Sequence, residues 1–315
     1  METIKRLNEL NKVDVNIAGG KGSSLGEMFQ AGISVPPGFV ILSFAFERFL
    51  KENDLFVDID SILHCVDKED MHTMEDASKK IKALILNSEV PKDIGKNIER
   101  AFKKLGVKYV AVRSSATEED SSKAAWAGQL DSFLNTTQEN LLKNVKKCWA
   151  SLFTPRAIFY RYNKGMHDKK ISVAVVVQKM VESEKSGVAF SVNPVTQDKN
   201  QLIIEASFGL GEAVVSGQIT PDNYFVEKEG WKILEKNIHN KEEELVRGNG
   251  SNKWKSLGEK GEKQVLTDKE ILKLAKLIVK IEEHYGFPVD VEWAFEKNKI
   301  YIVQTRPITT IKTNK

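Results

Sequence analysis

The segment 109-YVAVRSSATEED-120 decides how the middle of the chain is interpreted. Its first four residues, Tyr109 to Val112, are apolar and rich in β-branched side chains, which predicts a short buried strand. The strand leads directly into Arg113, two serines, a threonine and three acidic residues. Loops at the ends of strands in α/β proteins commonly bind ligands, so we expect this segment to contribute to a binding site.

The composition of the 315-residue chain is that of an ordinary globular protein. Hydrophobic residues make up 41% and charged residues 29%, and 47 Lys and Arg against 44 Asp and Glu leave a formal net charge of +3. The lysines are scattered rather than clustered, which argues against a dedicated nucleic-acid or membrane surface. The length allows one large or two medium-sized domains.

The cysteine content and the N-terminal segment indicate a cytoplasmic protein. Cys65 and Cys148 are the only cysteines, which predicts neither a disulfide framework nor a structural zinc site. The first twelve residues, METIKRLNELNK, are charged throughout and lack the apolar core of a signal peptide. The longest apolar run, 173–177, is far too short to span a bilayer.

Apolar periodicity predicts several helices. Residues 43–105 show apolar spacing near 3.6 residues in three segments, punctuated by Pro91 and Gly106. Further helices are expected at about 138–151 and 155–163. Near the C-terminus, 267-TDKEILKLAKLIVKIEEHYG-286 predicts an amphipathic helix that starts at Thr/Asp and ends before the final glycine.

From about residue 171 the periodicity changes to that of strands. Three closely spaced segments are expected to form a mixed or antiparallel sheet: ISVAVVVQKM (171–180), SGVAFSV (186–192) and QLIIEAS (201–207). Hairpins are expected with turns at Glu229-Gly230 and at Lys297-Asn298. The intervening residues 239–264 are rich in Lys, Glu and Gly, so we expect a mobile surface loop there.

The last hairpin, residues 289–307, carries polar residues that a core does not need. Alternation places Asp290 and Glu292 on one face of its first strand, and Gln304 and Arg306 on one face of its second strand. Mg²⁺ prefers hard oxygen ligands and Arg neutralises phosphate oxygens, so this set suits a Mg²⁺–phosphate site. The alternative is a solvent-facing sheet surface with a salt bridge.

The segment AGGKG, residues 18–22, places a lysine among glycines at a predicted helix start. We expect Ser23 or Ser24 to cap this helix and Gly32 to follow its end. Backbone N–H groups and the helix dipole favour an anion at such a position, although a plain turn is the alternative. The segment matches neither the Walker A pattern nor GxGxxG.

The chain shows no recognisable catalytic nucleophile. None of its five histidines belongs to a recognisable Ser/His/Asp arrangement. Cys148 lies beside Trp149 on an apolar helix face, where packing in the core is the expected role. A second glycine-rich segment, SFGLGEAVVSG (207–217), follows a predicted strand, and tight packing explains it as well as ligand binding does.

Eight ordered motifs give the chain a specific resemblance to a known family. They are GGKGSSLGEM, VPPGFV, VRSSATEED, AGQLDSFLN, CWASLF, SGVAFSVNP, EASFGLGEAVVSGQITPD, and DVEW followed by QTRP. Together they resemble the N-terminal ATP-binding domain of phosphoenolpyruvate synthases (pyruvate, water dikinases), whose relatives are pyruvate phosphate dikinase and the rifampin phosphotransferases. The resemblance extends from about Leu7 to Pro307.

This resemblance implies an α/β (α+β), ATP-grasp-like fold with a nucleotide cleft between two subdomains. We assign the subdomains to residues 1–195 and 196–315, and ATP and Mg²⁺ are the implied cofactors. The residues that match family positions are Lys21, Arg113 and Arg306 for phosphate binding and catalysis, Gly128 and Ser132 in the loop over the nucleotide, Gln178 near adenine, Glu205 as a nucleotide contact, and Glu292 and Gln304 as Mg²⁺ ligands with Asp290 as a helper.

The implied activity is that of a phosphotransferase with paired acceptors. In this family the domain supports pyrophosphoryl transfer from ATP to a histidine of a second domain, giving AMP and, after hydrolysis, phosphate and a phosphohistidine. A third domain binds the final acceptor. We expect that acceptor to be pyruvate, which becomes phosphoenolpyruvate. The alternatives are the ATP-binding domain of a rifampin phosphotransferase and a non-catalytic nucleotide-binding module.

The family's phosphohistidine motif does not occur in this sequence. The histidine and acceptor domains are therefore expected in cis or in trans, and the chain is expected to be either an excised domain or a stand-alone subunit. The resemblance also accounts for the opening segment. A buried strand would hold Arg113 rigidly against a transferring phosphoryl group, and phosphoryl transfer depends mostly on positioning and charge neutralisation.

Overall fold

The structure, a computed structural model, describes residues 2–117, 130–166, 171–248 and 251–309. These residues fold into two units, each of which combines helices with an antiparallel sheet. The first unit comprises Met1–Glu27 and Pro37–Met180, and the second comprises Met28–Pro36 and Val181–Lys315. The mixed helix-and-strand class predicted from the sequence is confirmed.

The strands of the first unit are β1 (Ile4–Arg6), β2 (Gly38–Ile41), β3 (Val110–Ala116), β4 (Ser132–Thr136) and β5 (Val173–Lys179). They pair antiparallel in the order β1-β2-β5-β3-β4. The helices are α1 (Val15–Gln30), α2 (Ser43–Glu52), α3 (Leu55–His64), α4 (Met71–Asn87), α5 (Lys92–Leu105), α6 (Leu141–Ala150) and α7 (Pro155–Asn163). The central position of β5 explains its continuous apolar sequence, because both of its faces are buried.

Helices α2 and α6 contribute to the core on one face of this sheet. The Trp149 ring centroid lies 4.9 Å from that of Phe49 and 5.7 Å from that of Phe46. These rings belong to one buried cluster with Val112 and Val175 of the sheet. Burying each such side chain contributes about 1.5–3 kcal/mol, so this face is anchored by packing.

Strand β3 is longer than the sequence predicted. The predicted strand ended at Val112, but the ladder with β5 continues from Val110 to Ala116. Arg113 therefore lies inside the strand and not in a loop at its end. The neighbouring strand supplies a pairing partner at every one of these positions, which overrides the weak β propensity of the two serines.

The main sheet of the second unit contains β6 (Lys185–Phe190), β7 (Gln201–Phe208), β8 (Asp222–Glu227), β9 (Lys232–Asn237), β12 (Val289–Glu296) and β13 (Lys299–Pro307). Its order is β13-β12-β6-β7-β8-β9, with every pair antiparallel. The remaining elements are α8 (Glu212–Val215), α9 (Asp268–Tyr285) and a separate pair of strands, β10 (Glu243–Arg247) and β11 (Asn252–Ser256). Both predicted hairpins, β8–β9 and β12–β13, are present.

Helix α9 has the ends that its sequence predicted. Thr267 Oγ1 accepts a hydrogen bond from the Glu270 amide, and the Glu270 carboxylate accepts one from the Thr267 amide at 2.8 Å. Gly286 follows the helix with a φ of 73°, as a left-handed C-terminal glycine does. In the ranges that the structure describes, no helix is long and apolar enough to cross a membrane.

The three strands expected in one sheet lie in two different sheets, so that prediction is wrong. β5 is central in the first sheet, whereas β6 and β7 pair with each other in the second. The two units divide after Met180 and not at the predicted position 195/196, because β6 pairs with β7 and β12. Met28–Pro36 also belongs to the second unit, where the Ser34 carbonyl accepts a hydrogen bond from the Ile302 amide at 2.8 Å.

The segment 239–264 is not the loop that its composition predicted. Its described part contains the β10–β11 hairpin, and the Leu245 carbonyl accepts a hydrogen bond from the Leu210 amide at 2.8 Å. The Lys241 side chain is 0% exposed and its ammonium lies 2.5 Å from the Asp222 carboxylate, which is also 0% exposed. A buried ion pair with a distant strand orders this segment.

Candidate functional site

One face of the first sheet collects several of the predicted site residues. Arg113 on β3 lies opposite Ser132 on β4, and Gln178 on β5 lies opposite Ala111. Because side chains alternate along a strand and paired residues share a face, all of these residues and Ser115 lie on one face. The other face of β3 carries the apolar residues that pack into the core.

Helix α1, which carries Lys21, lies over this polar face. A Cβ at Gly22 would meet the Val40 side chain at 3.2 Å, and Val40 is paired with Val176 of β5. Val176 in turn is paired with Arg113. The first unit therefore brings the helix that carries Lys21 to the face that carries Arg113, Ser132 and Gln178. Gly128, also predicted, lies outside the described residues.

The start of helix α1 differs from the prediction. Ser23 does not cap the helix, because its hydroxyl donates to the carbonyls of Gly19 and Gly20 at 2.9 and 3.1 Å. Ser24 does not cap it either, because the helix begins before that residue. The cap is instead Ser115 of β3, whose hydroxyl accepts a hydrogen bond from the Gly22 amide at 3.2 Å. Gly32 follows the helix with a φ of 71°, as expected.

The hairpin β12–β13 pairs the candidate metal and phosphate ligands with one another. Asp290 lies opposite Arg306, and Glu292 lies opposite Gln304. The register then shifts, because Trp293 pairs with Ile302 and the intervening residue of β13 has no partner in the ladder. Both polar pairs lie on the same side of this bulge, so alternation keeps them on one face. The bulge shifts the register between these pairs and the turn.

The turn of this hairpin explains why the sequence could predict it. Lys297 and Asn298 have φ values of 50° and 63°. Positive φ at both central residues is typical of a type I′ turn, which matches the twist of the two flanking strands. The register of the Asp290–Arg306 pair follows from this turn and from the bulge.

Glu205 lies on the same face of the second sheet as Asp290 and Glu292. Glu292 is paired with Val188 on β6, and Val188 is paired with Glu205 on β7. Two carboxylates therefore flank one valine, and Asn223 of β8 lies opposite Glu205. Helix α9 covers the other face, where its buried residues Ile271, Leu274, Ile278 and Ile281 pack.

The carboxylates of Asp290 and Glu205 on this face are poorly solvated. Both Arg306 Nε and Nη2 lie 2.6 Å from Asp290 Oδ2. Burial raises the pKa of Asp290 above its usual value, although Arg306 acts in the opposite direction and Glu292 adds to the rise. Burial also raises the pKa of Glu205, and the charge of Asp290 contributes to that rise.

The described residues contain no group of three or more His, Cys, Asp or Glu side chains that could hold a metal ion. A cation at this hairpin would thus take few protein carboxylates. Mg²⁺ is commonly bound in this way, by one or two carboxylates together with phosphate oxygens and water. The carboxylate of Glu292 and the amide oxygen of Gln304, paired across the hairpin, fit that donor set.

Cys148 has the structural role that the sequence predicted. Its side chain is buried, and burial raises the pKa of the thiol to about 12. A thiol with this pKa is protonated at neutral pH and is a poor nucleophile. Cys148 is therefore not added to the candidate site residues, which would act by binding charged groups and not by covalent attack.

The sequence matches the family described as pyruvate phosphate dikinase, AMP/ATP-binding domain, over residues 15–315. The chain is 49% identical to a probable phosphoenolpyruvate synthase of Methanocaldococcus jannaschii over 100% of its own length and 27% of that protein. It is 42% identical to phosphoenolpyruvate synthase of Pyrococcus furiosus over 98% of its own length and 44% of that protein. It is also 40% identical to rifampicin phosphotransferase of Bacillus cereus over 96% of its own length and 35% of that protein.

Similarity to solved structures is much weaker. D-alanyl-alanine synthetase A from Vibrio cholerae covers 74% of the chain with 11% identity and a TM-score of 0.32, too low to support a common fold by itself. The ATP-grasp-like fold therefore stays a prediction from the resemblance of the sequence motifs. The chain spans less than half the length of the curated relatives named above. On the match over residues 15–315, it belongs to the pyruvate phosphate dikinase AMP/ATP-binding domain family.

Proposed function

We propose that this chain binds ATP together with Mg²⁺ and supports transfer of the pyrophosphoryl group of ATP to a histidine of a partner domain. AMP leaves in this step, and hydrolysis of the pyrophosphohistidine then releases phosphate and leaves a phosphohistidine. The observation that carries the proposal is the register of the β12–β13 hairpin. It sets a carboxylate–amide pair, Glu292 and Gln304, directly beside a guanidinium–carboxylate pair, Arg306 and Asp290. A hard-cation ligand set next to an arginine is the chemistry that a metal-bound phosphate requires.

We propose a role for each candidate residue; the role of Gly128, which lies outside the described residues, follows from the family resemblance alone. In the first unit, Lys21 and Arg113 would neutralise phosphate oxygens, Gln178 would contact adenine, and Gly128 and Ser132 would lie over the nucleotide. In the second unit, Glu292 and Gln304 would hold Mg²⁺, and Arg306 would bind phosphate. When bound, Mg²⁺ would stabilise the negative charge of the phosphate oxygens.

Asp290 acts on Arg306 rather than on the nucleotide in this scheme. Its Oδ2 accepts from Nε, and Nη2 lies 2.6 Å from the same oxygen. These contacts fix the plane of the guanidinium, so its remaining donors point in a defined direction. Glu205 is the weaker candidate, a nucleotide contact one strand beyond β6.

We propose pyruvate as the final acceptor, with phosphoenolpyruvate as the product on a third domain. Two of the relatives described above carry the name phosphoenolpyruvate synthase, at 49% and 42% identity, which supports this choice. The relative named rifampicin phosphotransferase, at 40% identity, makes that antibiotic the second candidate. The longer relatives also support a phosphohistidine domain and an acceptor domain as partners, in cis or in trans.

The first experiment is calorimetry of ATP binding with and without Mg²⁺. We expect Mg²⁺-dependent binding that Lys21→Ala and Glu292→Gln each weaken. Lys255→Ala is the matched control, because Lys255 lies on the β10–β11 hairpin with 65% of its side chain exposed. Absence of binding at millimolar ATP, or equal binding by all variants, would contradict the proposal.

A further inference from the structure

Helix α1 is interrupted at Gly19, two residues before Lys21. Gly19 has φ 70° and ψ 172°, which are not helical, so the part of the helix that carries Lys21 begins at Gly20. Gly19 thus occupies the N-cap position of that part. An N-cap side chain normally accepts a hydrogen bond from the second or third amide of the helix, and glycine has no side chain to do so.

A serine from another element fills this role. Ser115 Oγ accepts a hydrogen bond from the amide of Gly22, the third residue of the helix, at 3.2 Å. The same hydroxyl donates to the Ala18 carbonyl at 2.9 Å, on the other side of the interruption. Ser115 is 0% exposed, so water does not substitute for either bond. One strand residue therefore binds both sides of the break.

Gly19 is the residue that makes this approach possible. A Cβ at Gly19 would lie 2.2 Å from Ser115 Oγ and 2.4 Å from the Ser115 carbonyl oxygen. Its φ of 70° is also in the left-handed region that favours glycine. The missing side chain of the helix is thus replaced by the hydroxyl of the strand.

The strand that provides the cap also carries Arg113. Ser115 lies two residues after Arg113 on the same face of β3, which places their Cα atoms about 6.6 Å apart along the strand. We propose that Ser115 is a positioning residue, whose hydroxyl fixes the helix bearing Lys21 against the strand bearing Arg113. The proposal rests on the proposed function, in which both cations act on phosphate.

The cap itself is tested by amide hydrogen exchange. In the wild-type chain we expect the Gly22 amide to be protected, and Ser115→Ala should reduce its protection by about 2- to 30-fold, the range expected for loss of an N-cap. A Gly22 amide that exchanges freely in the folded wild-type chain would overturn the proposal even if the variant failed to fold.

The positioning role is tested by separating binding from turnover. With a phosphohistidine domain from a longer relative supplied in trans, we expect Ser115→Ala to lower kcat by about 10- to 100-fold, as misplacement of catalytic groups does. The Kd for Mg·ATP should change by less than about threefold, since both cations remain present. Loss of Gly22 protection with unchanged kcat would overturn the positioning role.

Ser151→Ala is the matched control. Ser151 is 0% exposed, and its hydroxyl donates to the Cys148 carbonyl at 2.7 Å and is hydrogen-bonded to Ser114 Oγ at 2.9 Å. Ser151→Ala should lose stability but leave Gly22 protection and kcat unchanged. A fall in kcat as large as that of Ser115→Ala would show that general destabilisation, and not loss of the cap, lowers kcat. If the wild-type chain neither binds ATP nor turns over, the proposed function fails and the positioning role falls with it, whereas Gly22 protection still reports the cap.

Discussion

The buried ion pair between Asp222 and Lys241 should be the most sensitive point of the second unit. Asp222 Oδ1 accepts from the Lys241 ammonium at 2.5 Å and from the His239 amide at 3.1 Å. Its Oδ2 accepts from the Val265 amide at 2.8 Å and from the Tyr224 hydroxyl at 2.9 Å. One carboxylate therefore attaches both ends of the segment 239–265 to strand β8.

Replacing Lys241 with Met removes the cation but leaves this carboxylate buried among neutral donors. Breaking a buried pair in this way costs about 3–5 kcal/mol, because the remaining charge is uncompensated. Asp222→Asn should cost a similar amount, since its amide would present N–H groups to the Val265 amide and the Tyr224 hydroxyl, which are donors. The double variant should be less destabilised than the sum, with a coupling of about 0.5–3 kcal/mol.

Urea unfolding of the wild type, the two single variants and the double variant measures this cycle. The control is Lys255→Met in the same segment, whose partner Glu244 lies 3.4 Å away and whose own side chain is 65% exposed. Glu244 keeps a second cation, the Lys260 ammonium at 3.2 Å, and Lys255 itself is largely in solvent. This variant should therefore lose less than about 1 kcal/mol. Equal losses for Lys241→Met and Lys255→Met, or additivity in the cycle, would refute the reasoning.

Four further predictions concern single residues. Arg113→Ala should abolish phosphoryl transfer to a supplied histidine domain while ATP binding falls modestly, because its charge matters most in the transition state; unchanged turnover would exclude this role. Glu292→Gln should raise the Mg²⁺ concentration needed for half-maximal ATP binding, and an unaltered Mg²⁺ titration would remove this residue from the metal site. Cys65, which is exposed, should react with a thiol reagent at neutral pH, whereas buried Cys148, with a pKa of about 12, should react only in denaturant; two reactive thiols in the native chain would contradict this. Burial raises the pKa of Glu205 above its ordinary 4.5, so the unfolded chain ionises this carboxyl more readily than the folded chain, and stability falls as pH rises above 4.5. Glu205→Gln should therefore raise the unfolding free energy at pH 7 but not at pH 4. The same increase at both pH values would exclude ionisation of Glu205 as the cause.

The elements that the sequence could predict are those whose signals are local. Helix α9 contains its capping box and its terminal glycine within its own sequence, and the β12–β13 turn is set by Lys297 and Asn298. Alternation along the two strands then places Asp290 with Glu292 on one face of β12, and Gln304 with Arg306 on one face of β13. Such features need no knowledge of distant parts of the chain.

The features that it could not predict depend on distant partners. Lys241 reads as one more charged residue in a polar segment, and only Asp222 on strand β8 explains its burial. The capping residue of the helix bearing Lys21 is Ser115, which is remote in sequence, so the nearby Ser23 was the natural but incorrect choice. Strand order is non-local in the same way, which is why adjacent strand segments were assigned to one sheet.

Arg113 and Glu292, one candidate residue from each unit, lie on strands that are paired on both sides. Arg113 belongs to β3, between β4 and β5, and Glu292 belongs to β12, between β6 and β13. Two hydrogen-bonded ladders fix the position of each Cα atom, so only the side-chain torsions remain to be ordered by the ligand. Phosphoryl transfer needs charges held in place more than it needs a reactive side chain. A strand in the interior of a sheet meets that requirement better than a loop does, and the placement of Arg113 inside β3 is therefore an advantage for the proposed chemistry.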